Sequence, residues 1–467
     1  MKNNKFRGII VSNCLVLLLS AISTVKSSIN EEQDNIKNRI FQMGFFLELP
    51  LLHIKYIEGA FLEDGSIADG TNGDIAVDHY HRYMEDIEIM HSLGLTSYRF
   101  SISWSRVLPR GRFGGVNQNG ITFYNKIIDN LLLRGIEPFV TIFHNDYPQE
   151  LEDRFGGWLS PLMQEEFVHF AETCFEKFGD RVKYWITINE PNIFSDMGYE
   201  RAQYPPARCS PPFGNCAIGN SDVEPLIVSK VDGMLSISVH AFMYIPLRDD
   251  KNDEEAANRA LAFNVAWTLD PLVFGDYPLE MKRYHGSELP KFSSEERALL
   301  RESIDFIGIN HYGTLYAKDC IHSSCVCNDS SCTQGNDRPI RGFVQTTGQR
   351  NGVSIGYSSL VNEDDNNQIN DVKRIHYHQS YLAYLAQAIR KGADVRGYFI
   401  WSLMDNFEWS SGYAIKFGIY HIDPPTLNRI PKMSAVWYKD FLGNSNLVDT
   451  TIFSNKKKEA LSGIQSE

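Results

Sequence analysis

The chain lacks a surplus of basic residues and, beyond its N-terminus, any long uninterrupted apolar run. Its 45 lysines and arginines are outnumbered by 58 aspartates and glutamates, which gives a net charge of −13 over 467 residues. So acidic a surface argues against nucleic acids and anionic membranes as partners. The chain also lacks a long internal repeat, a low-complexity linker and any standard spacing of zinc ligands. We therefore expect a globular protein for which no metal or organic cofactor is indicated.

The apolar run at the N-terminus, Ile9–Ile22, follows a short basic segment. The basic residues of that segment are Lys2, Lys5 and Arg7. Basic residues followed by a short apolar run and by small residues are typical of a secretory signal peptide. The run is short for a membrane span, and an anchored N-terminus is the alternative. We predict that residues 1–28 are a signal peptide and that residues 29–467 form a single domain.

The eight cysteines fall mostly in two loops. Cys209 and Cys216 flank a loop rich in proline and glycine, and we predict that they form a disulfide. Four more lie in one polar loop: Cys320, Cys325, Cys327 and Cys332. These also indicate disulfides, whose pairing stays open, and a zinc knuckle is the alternative. The same loop holds the sequon at Asn328, a candidate N-glycosylation site, whereas Cys174, on an amphipathic helix, is predicted to be a buried thiol.

Strand-like and helix-like segments alternate along most of the chain. Runs of apolar and β-branched residues predict strands at 97–103, 137–143, 184–190, 235–243, 304–312 and 395–401. Apolar residues at helical spacing predict helices at 78–92, 121–134, 162–178, 254–269 and 371–391. This alternation implies parallel βαβ units. We predict the α/β class and a (β/α)8 TIM barrel.

A closed barrel of eight strands needs two strands more than these six. A first strand is arguable in the apolar run 41–52, which Pro50 interrupts. The candidate for a seventh strand is the weakly patterned stretch 352–361. The stretch 226–234 leaves no room for a full fourth helix. We therefore predict an incomplete barrel in which strand 7 is absent or replaced, and strand 1 and helix 4 are degraded.

Polar and aromatic side chains stand at the carboxyl ends of the predicted strands. The strand 184–190 ends in Asn189 and Glu190, because Pro191 cannot continue a central ladder. The other strand ends and the last loop supply Arg99, His144, Asp146, Asn310, Tyr312, Trp401, Glu408 and Trp409. Catalytic residues collect at this end of an α/β barrel. Carboxylates and amides suit sugar hydroxyls, and flat rings suit sugar faces, so the mixture predicts a carbohydrate site around Glu190.

Three stretches form recognisable motifs: Tyr98–Arg106, Thr187–Pro191 and Trp401–Trp409. These motifs resemble those of family 1 glycoside hydrolases, and more closely those of plant β-glucosidases. The similarity extends from about residue 58 to about residue 445. The cysteine loop is similar to that of plant members associated with monolignol glucosides. The resemblance implies a retaining β-glucosidase, acting on small glucosides with an aromatic aglycone, in the secretory pathway and then the extracellular space (apoplast) or the vacuole.

The resemblance also implies a role for each strand-end residue. Glu190 matches the general acid/base, which protonates the leaving group and later activates water. Arg99 and Tyr312 match residues that orient the nucleophile. The residues that match substrate-binding positions are His144, Asn189, Tyr312, Trp401, Glu408, Trp409 and Phe417.

The nucleophile itself is missing from its expected place. The resembling family carries it in a Thr-Glu-Asn-Gly motif on the seventh strand, and this sequence contains no such motif. Glu363 is the best remaining candidate. Two further departures are Tyr56, where the family has a glutamine, and Asn145, where it has a tryptophan. Three hypotheses follow: a retaining β-glucosidase, a catalytically inactive glucoside-binding protein, or a truncated gene product.

Overall fold

The computed structural model of the chain describes residues 8–12, 67–229, 237–302, 304–325, 336–355 and 368–443. The strands are β1 (Gly8–Ser12), β2 (Ser97–Ser101), β3 (Glu137–Phe143), β4 (Tyr184–Asn189), β5 (Ile237–Pro246), β6 (Phe306–Asp319), β7 (Val344–Thr347), β8 (Gln349–Arg350), β9 (Val353–Ser354), β10 (Val395–Phe399), β11 (Tyr420–Ile422) and β12 (Arg429–Pro431). The helices are α1 (His79–Leu93), α2 (Trp104–Val107), α3 (Gln118–Leu133), α4 (Gln149–Phe155), α5 (Leu162–Phe178), α6 (Pro191–Tyr199), α7 (Glu224–Val228), α8 (Lys251–Leu261), α9 (Trp267–Phe274), α10 (Leu279–His285), α11 (Ser294–Glu302), α12 (Val372–Arg390) and α13 (Met433–Gly443).

One large sheet organises the molecule. Its parallel strands lie in the order β10-β1-β6-β5-β4-β3-β2, and β7 pairs antiparallel with the far end of β6. All six predicted strands are present, as β2 to β6 and β10, and their bounds agree within a few residues, except that β6 continues seven residues further than predicted, to Asp319. In the described part of the chain no strand joins β2 to β10, and the predicted first strand at 41–52 lies outside that part.

The sheet is curled, because strands far apart in its order meet across the interior. The ring of Phe139 on β3 lies 5.0 Å from the ring of Phe399 on β10, although four strands separate them in the sheet. Phe306 on β6 and Ile186 on β4 complete the same buried cluster. Inward side chains from several strands fill the centre of an α/β barrel in this way. The interior is therefore a packed core below the site at the carboxyl ends.

The strand β1 comes from the segment that the sequence predicted to be a signal peptide. It lies between β6 and β10 and is parallel to both. Ser12 stands opposite Asn310 on one side and opposite Phe399 on the other. This is the position of strand 7 in the predicted barrel, so the structure fills that position with an N-terminal strand. Residues 8–12 cannot serve as this strand in a chain from which they have been cleaved, and the signal peptide stays a prediction.

Several smaller predictions concern the elements around the sheet. The candidate seventh strand at 352–361 is wrong where it is described, because β9 pairs with β8 in a separate hairpin. The fourth helix is short, as predicted: α7 spans Glu224–Val228. The predicted helix 254–269 is two helices, α8 and α9, joined by the π-helical stretch Ala262–Ala266. Helical periodicity does not reveal such a stretch in advance.

Two disulfides and one thiol account for the described cysteines. Cys209 bonds Cys216, as predicted, and Cys320 bonds Cys325, a pairing that the sequence left open. Cys174 is a buried free thiol, as predicted. The remaining members of the cysteine loop, Cys327 and Cys332, and the sequon at Asn328 lie outside the described residues.

The described residues contain neither a membrane-spanning helix nor a cluster of metal ligands. Within the described ranges, no helix has both the length and the apolar character needed to cross a membrane. The same ranges contain no group of three histidine, cysteine, aspartate or glutamate side chains placed to hold a metal ion.

Candidate active site

Glu190 stands where β4 ends and α6 begins. Its backbone is left-handed, with φ 47° and ψ 56°, and Pro191 opens the helix directly after it. The backbone N–H of Glu190 donates to the carbonyl of Ser238 on β5, at 2.8 Å. A left-handed backbone is uncommon for a residue with a side chain, and such conformations collect at functional sites. The strand end thus holds Glu190 in a fixed, unusual conformation.

The side-chain amide of Asn189 is the centre of a buried hydrogen-bond network. Its Oδ1 accepts from Arg99 Nη2 at 2.7 Å, from Ser238 Oγ at 2.8 Å and from Asn310 Nδ2 at 3.1 Å. Its Nδ2 donates to His144 Nε2 at 3.0 Å. Strands β2, β3, β4, β5 and β6 each contribute to this network or stand directly before a residue that does. The orientation of the amide is therefore fixed from both of its ends.

His144 is held as a neutral imidazole. Because its Nε2 accepts from Asn189, the proton belongs on Nδ1, which donates to Ser101 Oγ at 3.0 Å. Its ring lies 5.6 Å from the ring of Trp409. A glucose hydroxyl that bonds His144, as the sequence predicted, would exchange with one of these two hydrogen bonds.

Arg99 is a buried cation at the base of the site. Its guanidinium donates to Thr141 Oγ1 at 3.2 Å and to Asn310 Oδ1 at 3.3 Å, besides its bond to Asn189. Burial lowers the pKa of Arg99 to about 10, against the opposing charges of Tyr312 and Glu190. The guanidinium therefore stays protonated at neutral pH and supplies a positive charge beside the acid/base candidate.

The carboxyl group of Glu190 titrates near neutrality. Burial raises its pKa to about 7, and the hydrogen bond from Asn310 and the charge of Arg99 oppose this rise. The Nδ2 of Asn310 donates to Glu190 Oε1 at 2.5 Å. A group that donates a proton in one step and accepts it in the next works best with a pKa near the ambient pH. The site thus gives Glu190 the property that a general acid/base needs.

The last loop supplies a second buried carboxyl group. Burial raises the pKa of Glu408 to about 8, and hydrogen bonds from Trp401 and Asn406 oppose this effect. Glu408 Oε1 is buried and has no hydrogen-bond partner among the described residues. A buried oxygen without a partner is a costly feature that a ligand hydroxyl can relieve. Glu408 therefore fits its predicted role as a substrate ligand.

Aromatic rings lie near both carboxyl groups. Trp409 stacks on Tyr204, with ring centroids 5.2 Å apart and an angle of 21° between the planes. Burial and the charges of Glu190 and Glu408 raise the pKa of both Tyr204 and Tyr312. Because both carboxyl groups act on both phenols, the two tyrosines lie near both Glu190 and Glu408.

Most of the predicted site residues lie close together in the structure. The structure brings together Arg99, His144, Asn189, Glu190, Tyr312, Trp401, Glu408 and Trp409. The backbone carbonyl of Phe417 accepts from Ser402 N–H at 3.2 Å, which anchors it in the last loop, and its contact with substrate stays a prediction.

Sequence reasoning missed several residues of the site, among them Ser238 and Tyr204. Ser238 lies inside a strand rather than at its end, and only the inward face of β5 shows that its hydroxyl reaches the network. Tyr204 lies in a loop between α6 and α7, where no local pattern indicates which way an aromatic ring points.

The position of strand 7 supplies no carboxylate in the residues that the structure describes. The strand β1, which lies there, has the sequence GIIVS. Glu363 and Tyr56 lie outside the described residues. A retaining mechanism needs two carboxylates about 5–5.5 Å apart. The described part of the site thus contains the acid/base candidate and leaves its partner unassigned.

The molecule is a curled α/β barrel, and a carboxyl group, amides and aromatic rings lie together at the carboxyl ends of its strands. This combination is typical of a carbohydrate-processing barrel. Two overlapping stretches of the chain, 57–363 and 349–447, match the model of glycosyl hydrolase family 1. The chain belongs to this family.

Similar proteins agree with this placement. A "probable inactive beta-glucosidase 14" from Oryza sativa subsp. japonica is 44% identical over 84% of this chain and 89% of that protein. A coniferin beta-glucosidase from Pinus contorta is 45% identical over 81% of this chain and 84% of that protein. A crystal structure of a rice beta-glucosidase superposes with a TM-score of 0.77 at 35% identity, over 86% of this chain and 97% of that one. The likeness confirms the predicted (β/α)8 TIM barrel.

Proposed function

We propose that this chain binds a small β-glucoside at the site around Glu190 and hydrolyses it weakly or not at all. One observation carries the proposal. Burial raises the pKa of Glu190 to about 7 at the edge of the network of Asn189, Arg99 and Asn310, whereas the strand at position 7 carries no carboxylate. The site therefore has the means to orient a glucoside and protonate its leaving group, but lacks an assigned nucleophile.

Binding is supported by groups that are poised for a sugar. Glu408 Oε1 is buried without a partner in the described residues and can accept from a sugar hydroxyl. Trp401 and Trp409 offer flat apolar surface beside it, and aromatic faces pack well against sugar rings. We assign these residues to the binding of the glucose ring of the proposed ligand.

Weak turnover is supported by the chemistry of the retaining reaction. Glu190 can protonate the glycosidic oxygen, but the covalent glycosyl-enzyme forms only when a second carboxylate attacks the anomeric carbon. Residues that act as a unit fail together, so an acid/base alone retains little activity. The family model also matches in two overlapping stretches that meet at 349–363, near the expected place of the nucleophile motif. A rice relative is itself described as a "probable inactive" beta-glucosidase.

The aglycone and the compartment belong to the same proposal. An aromatic aglycone is supported by one relative, which is described as a coniferin beta-glucosidase. The disulfides Cys209–Cys216 and Cys320–Cys325 support passage through an oxidising compartment such as the secretory pathway. Glycosylation at Asn328 would follow there.

The test compares binding with turnover on the same protein. Calorimetry with phenyl β-glucoside should show saturable binding, and phenyl β-galactoside should bind more weakly. Release of nitrophenol from 4-nitrophenyl β-glucoside should be at least about a thousandfold below the usual range of about 1–10³ s⁻¹. Glu190→Gln should keep the binding and remove the residual release. Glu172→Gln, on an exposed position of α5, is the matched control and should change neither.

Two results would contradict the proposal. Absence of glucoside binding removes the function altogether. Ordinary turnover removes the inactive part of it and shows that a nucleophile exists. A 2-fluoroglucoside, which accumulates the covalent intermediate, would then identify that residue by mass spectrometry, with Glu363→Gln as the first variant to examine.

A further inference from the structure

A buried histidine beside the site takes no part in the network described above. His240 lies on β5, two residues after Ser238, whose hydroxyl contacts Asn189. Side chains two apart on a strand share a face, so His240 also points to the interior. Its partner in the sheet register is Asn310, the residue that donates to the acid/base. His240 therefore stands at the same level of the sheet as Asn310, which contacts the acid/base candidate.

Two aromatic rings hold the imidazole of His240. Its centroid lies 5.8 Å from the ring of Tyr312 and 4.6 Å from the ring of Phe242. Tyr312 lies near Glu190 and Glu408, whose charges raise its pKa. The imidazole thus lies beside a ring that neighbours both carboxyl groups of the site.

The backbone of His240 is anchored to the helix that follows Glu190. Its N–H donates to Asn192 Oδ1 at 3.3 Å, and its carbonyl accepts from Asn192 Nδ2 at 2.9 Å. Asn192 lies in the first turn of α6. The distance between His240 and the acid/base is therefore set by a rigid connection, as the position of a recognition group requires.

One ring nitrogen of His240 is left without a partner. The residue is 8% exposed, and its Nδ1 is buried with no hydrogen-bond partner in the described part of the chain. Burial and the nearby His311 lower its pKa to about 4, so the ring is neutral and offers one donor and one acceptor. A structural core histidine normally has both nitrogens bonded, because an unmade buried hydrogen bond is costly. The unbonded Nδ1 therefore indicates a hydrogen bond to a polar group of a bound ligand.

We propose that His240 determines specificity by forming a hydrogen bond with a hydroxyl group on the aromatic aglycone of the bound glucoside. The inference rests on the proposed function, which places the glucose ring against Glu408 and Trp409. The remaining part of the ligand then extends past Glu190 toward His240. Phe242 and Tyr312 give this part of the cavity apolar walls that suit an aromatic ring.

The test uses matched ligands that differ by one hydroxyl group. Dissociation constants of the full chain are measured by calorimetry for phenyl β-glucoside and for its 2-, 3- and 4-hydroxyphenyl analogues. At least one analogue should bind the unmodified protein about 3- to 10-fold more tightly than the phenyl glucoside does. His240→Phe should abolish that preference and leave the affinity for phenyl β-glucoside within about twofold. His240→Gln, which restores a donor and an acceptor, should recover part of it.

Control variants and a second measurement separate recognition from folding. His376→Phe, at an exposed position of α12, should keep the preference. If His240→Phe does not fold, the imidazole nitrogen signals of the labelled unmodified protein replace it. These should shift with the preferred hydroxyphenyl glucoside and stay in place with the phenyl glucoside.

The outcomes distinguish this inference from the function on which it rests. If glucosides bind but show no preference for a hydroxyl, or if His240→Phe keeps the preference, the role of His240 is wrong and the proposed function stands. If no glucoside binds, both are wrong.

Discussion

The two sides of the barrel are built in different ways. From β2 to β6, each strand pairs with its neighbour in sequence, and helices connect them. On the other side, β1 lies between two strands that come about 300 and 390 residues later in the chain. The side made from consecutive units carries the amide network and Glu190. The other side, where the second carboxylate of the family belongs, is closed by a strand without one.

This difference shows that the sheet and the chemistry are separable. A strand that pairs on both sides removes two sheet edges whatever its side chains are, because backbone groups make the ladder. Catalysis needs a particular side chain at a particular strand end. The N-terminal strand therefore completes the sheet at position 7 without supplying the reacting group.

The largest effect is expected from a substitution in β1, which lies between β6 and β10. Ile10→Pro removes a backbone donor from the middle of a strand that pairs on both sides. We expect it to lower the free energy of unfolding by about 3 kcal/mol or more, as measured by urea denaturation. Ile10→Val, which keeps the backbone donor and the β-branched side chain, is the control and should change little. Equal stability of the intact chain and of a chain lacking residues 1–28 would contradict the role of β1 and favour the signal peptide.

The next prediction concerns the side of the barrel that carries Glu190. The folded pKa of Glu190, about 7, lies above its ordinary value of 4.5. Below pH 4.5 both states are protonated and burial of this group has no ionisation cost. As the pH rises from 4.5 to 7, stability is lost, to a total of at most about 3 kcal/mol. Glu190→Gln removes this titration, so its stability relative to the unmodified protein should rise across this window and stay level above it.

Thermal unfolding at a series of pH values measures this difference. Glu172→Gln, at an exposed position of α5, should show no comparable trend. A difference between Glu190→Gln and the unmodified protein that is constant from pH 4 to pH 8 would show that the carboxyl group is not buried as described.

A smaller effect concerns the loop that follows β6. The disulfide Cys320–Cys325 closes a loop with a sequence separation of only 5. Replacing both cysteines with serine should lower the free energy of unfolding by at most about 2 kcal/mol, because closure of a short loop restricts the unfolded chain only modestly. Glucoside affinity should not change, since this loop follows the end of β6 at Asp319, seven residues after Tyr312. A reducing agent should bring the unmodified protein to the stability of the variant, and a loss of affinity on reduction would place the loop in the site.

The smallest expected effect concerns Trp409, which connects the last loop to the side of the barrel that carries Glu190. Trp409→Ala removes the stack on Tyr204 and the contact with His144. We expect glucoside affinity to fall about 3- to 10-fold, from the loss of about 1 kcal/mol of aromatic contact. Tyr384→Ala, on an exposed face of α12, is the control. Unchanged affinity in Trp409→Ala would remove this ring from the binding surface.

Local sequence patterns predicted the consecutive side of the barrel well. The runs that became β2 to β6 are apolar, are bounded by helical segments and end in polar residues, so both their type and their functional ends were readable. The pairing of β1 was not readable, because it depends on contacts between distant segments, and its apolar run has the composition of a signal peptide. Ser238, Tyr204 and His240 were missed because their roles depend on which face or loop points into the cavity.

The sequence by itself determined the family, the barrel and the position of Glu190, because these follow from short motifs and from the period of buried residues. Only the tertiary structure decided the pKa of Glu190, the neutral form of His144 and the strand that lies between β6 and β10. The physical reason is the range of the interactions involved. Strand propensity and strand ends are local properties of the chain, whereas burial, charge and sheet pairing depend on residues that meet only when the chain folds.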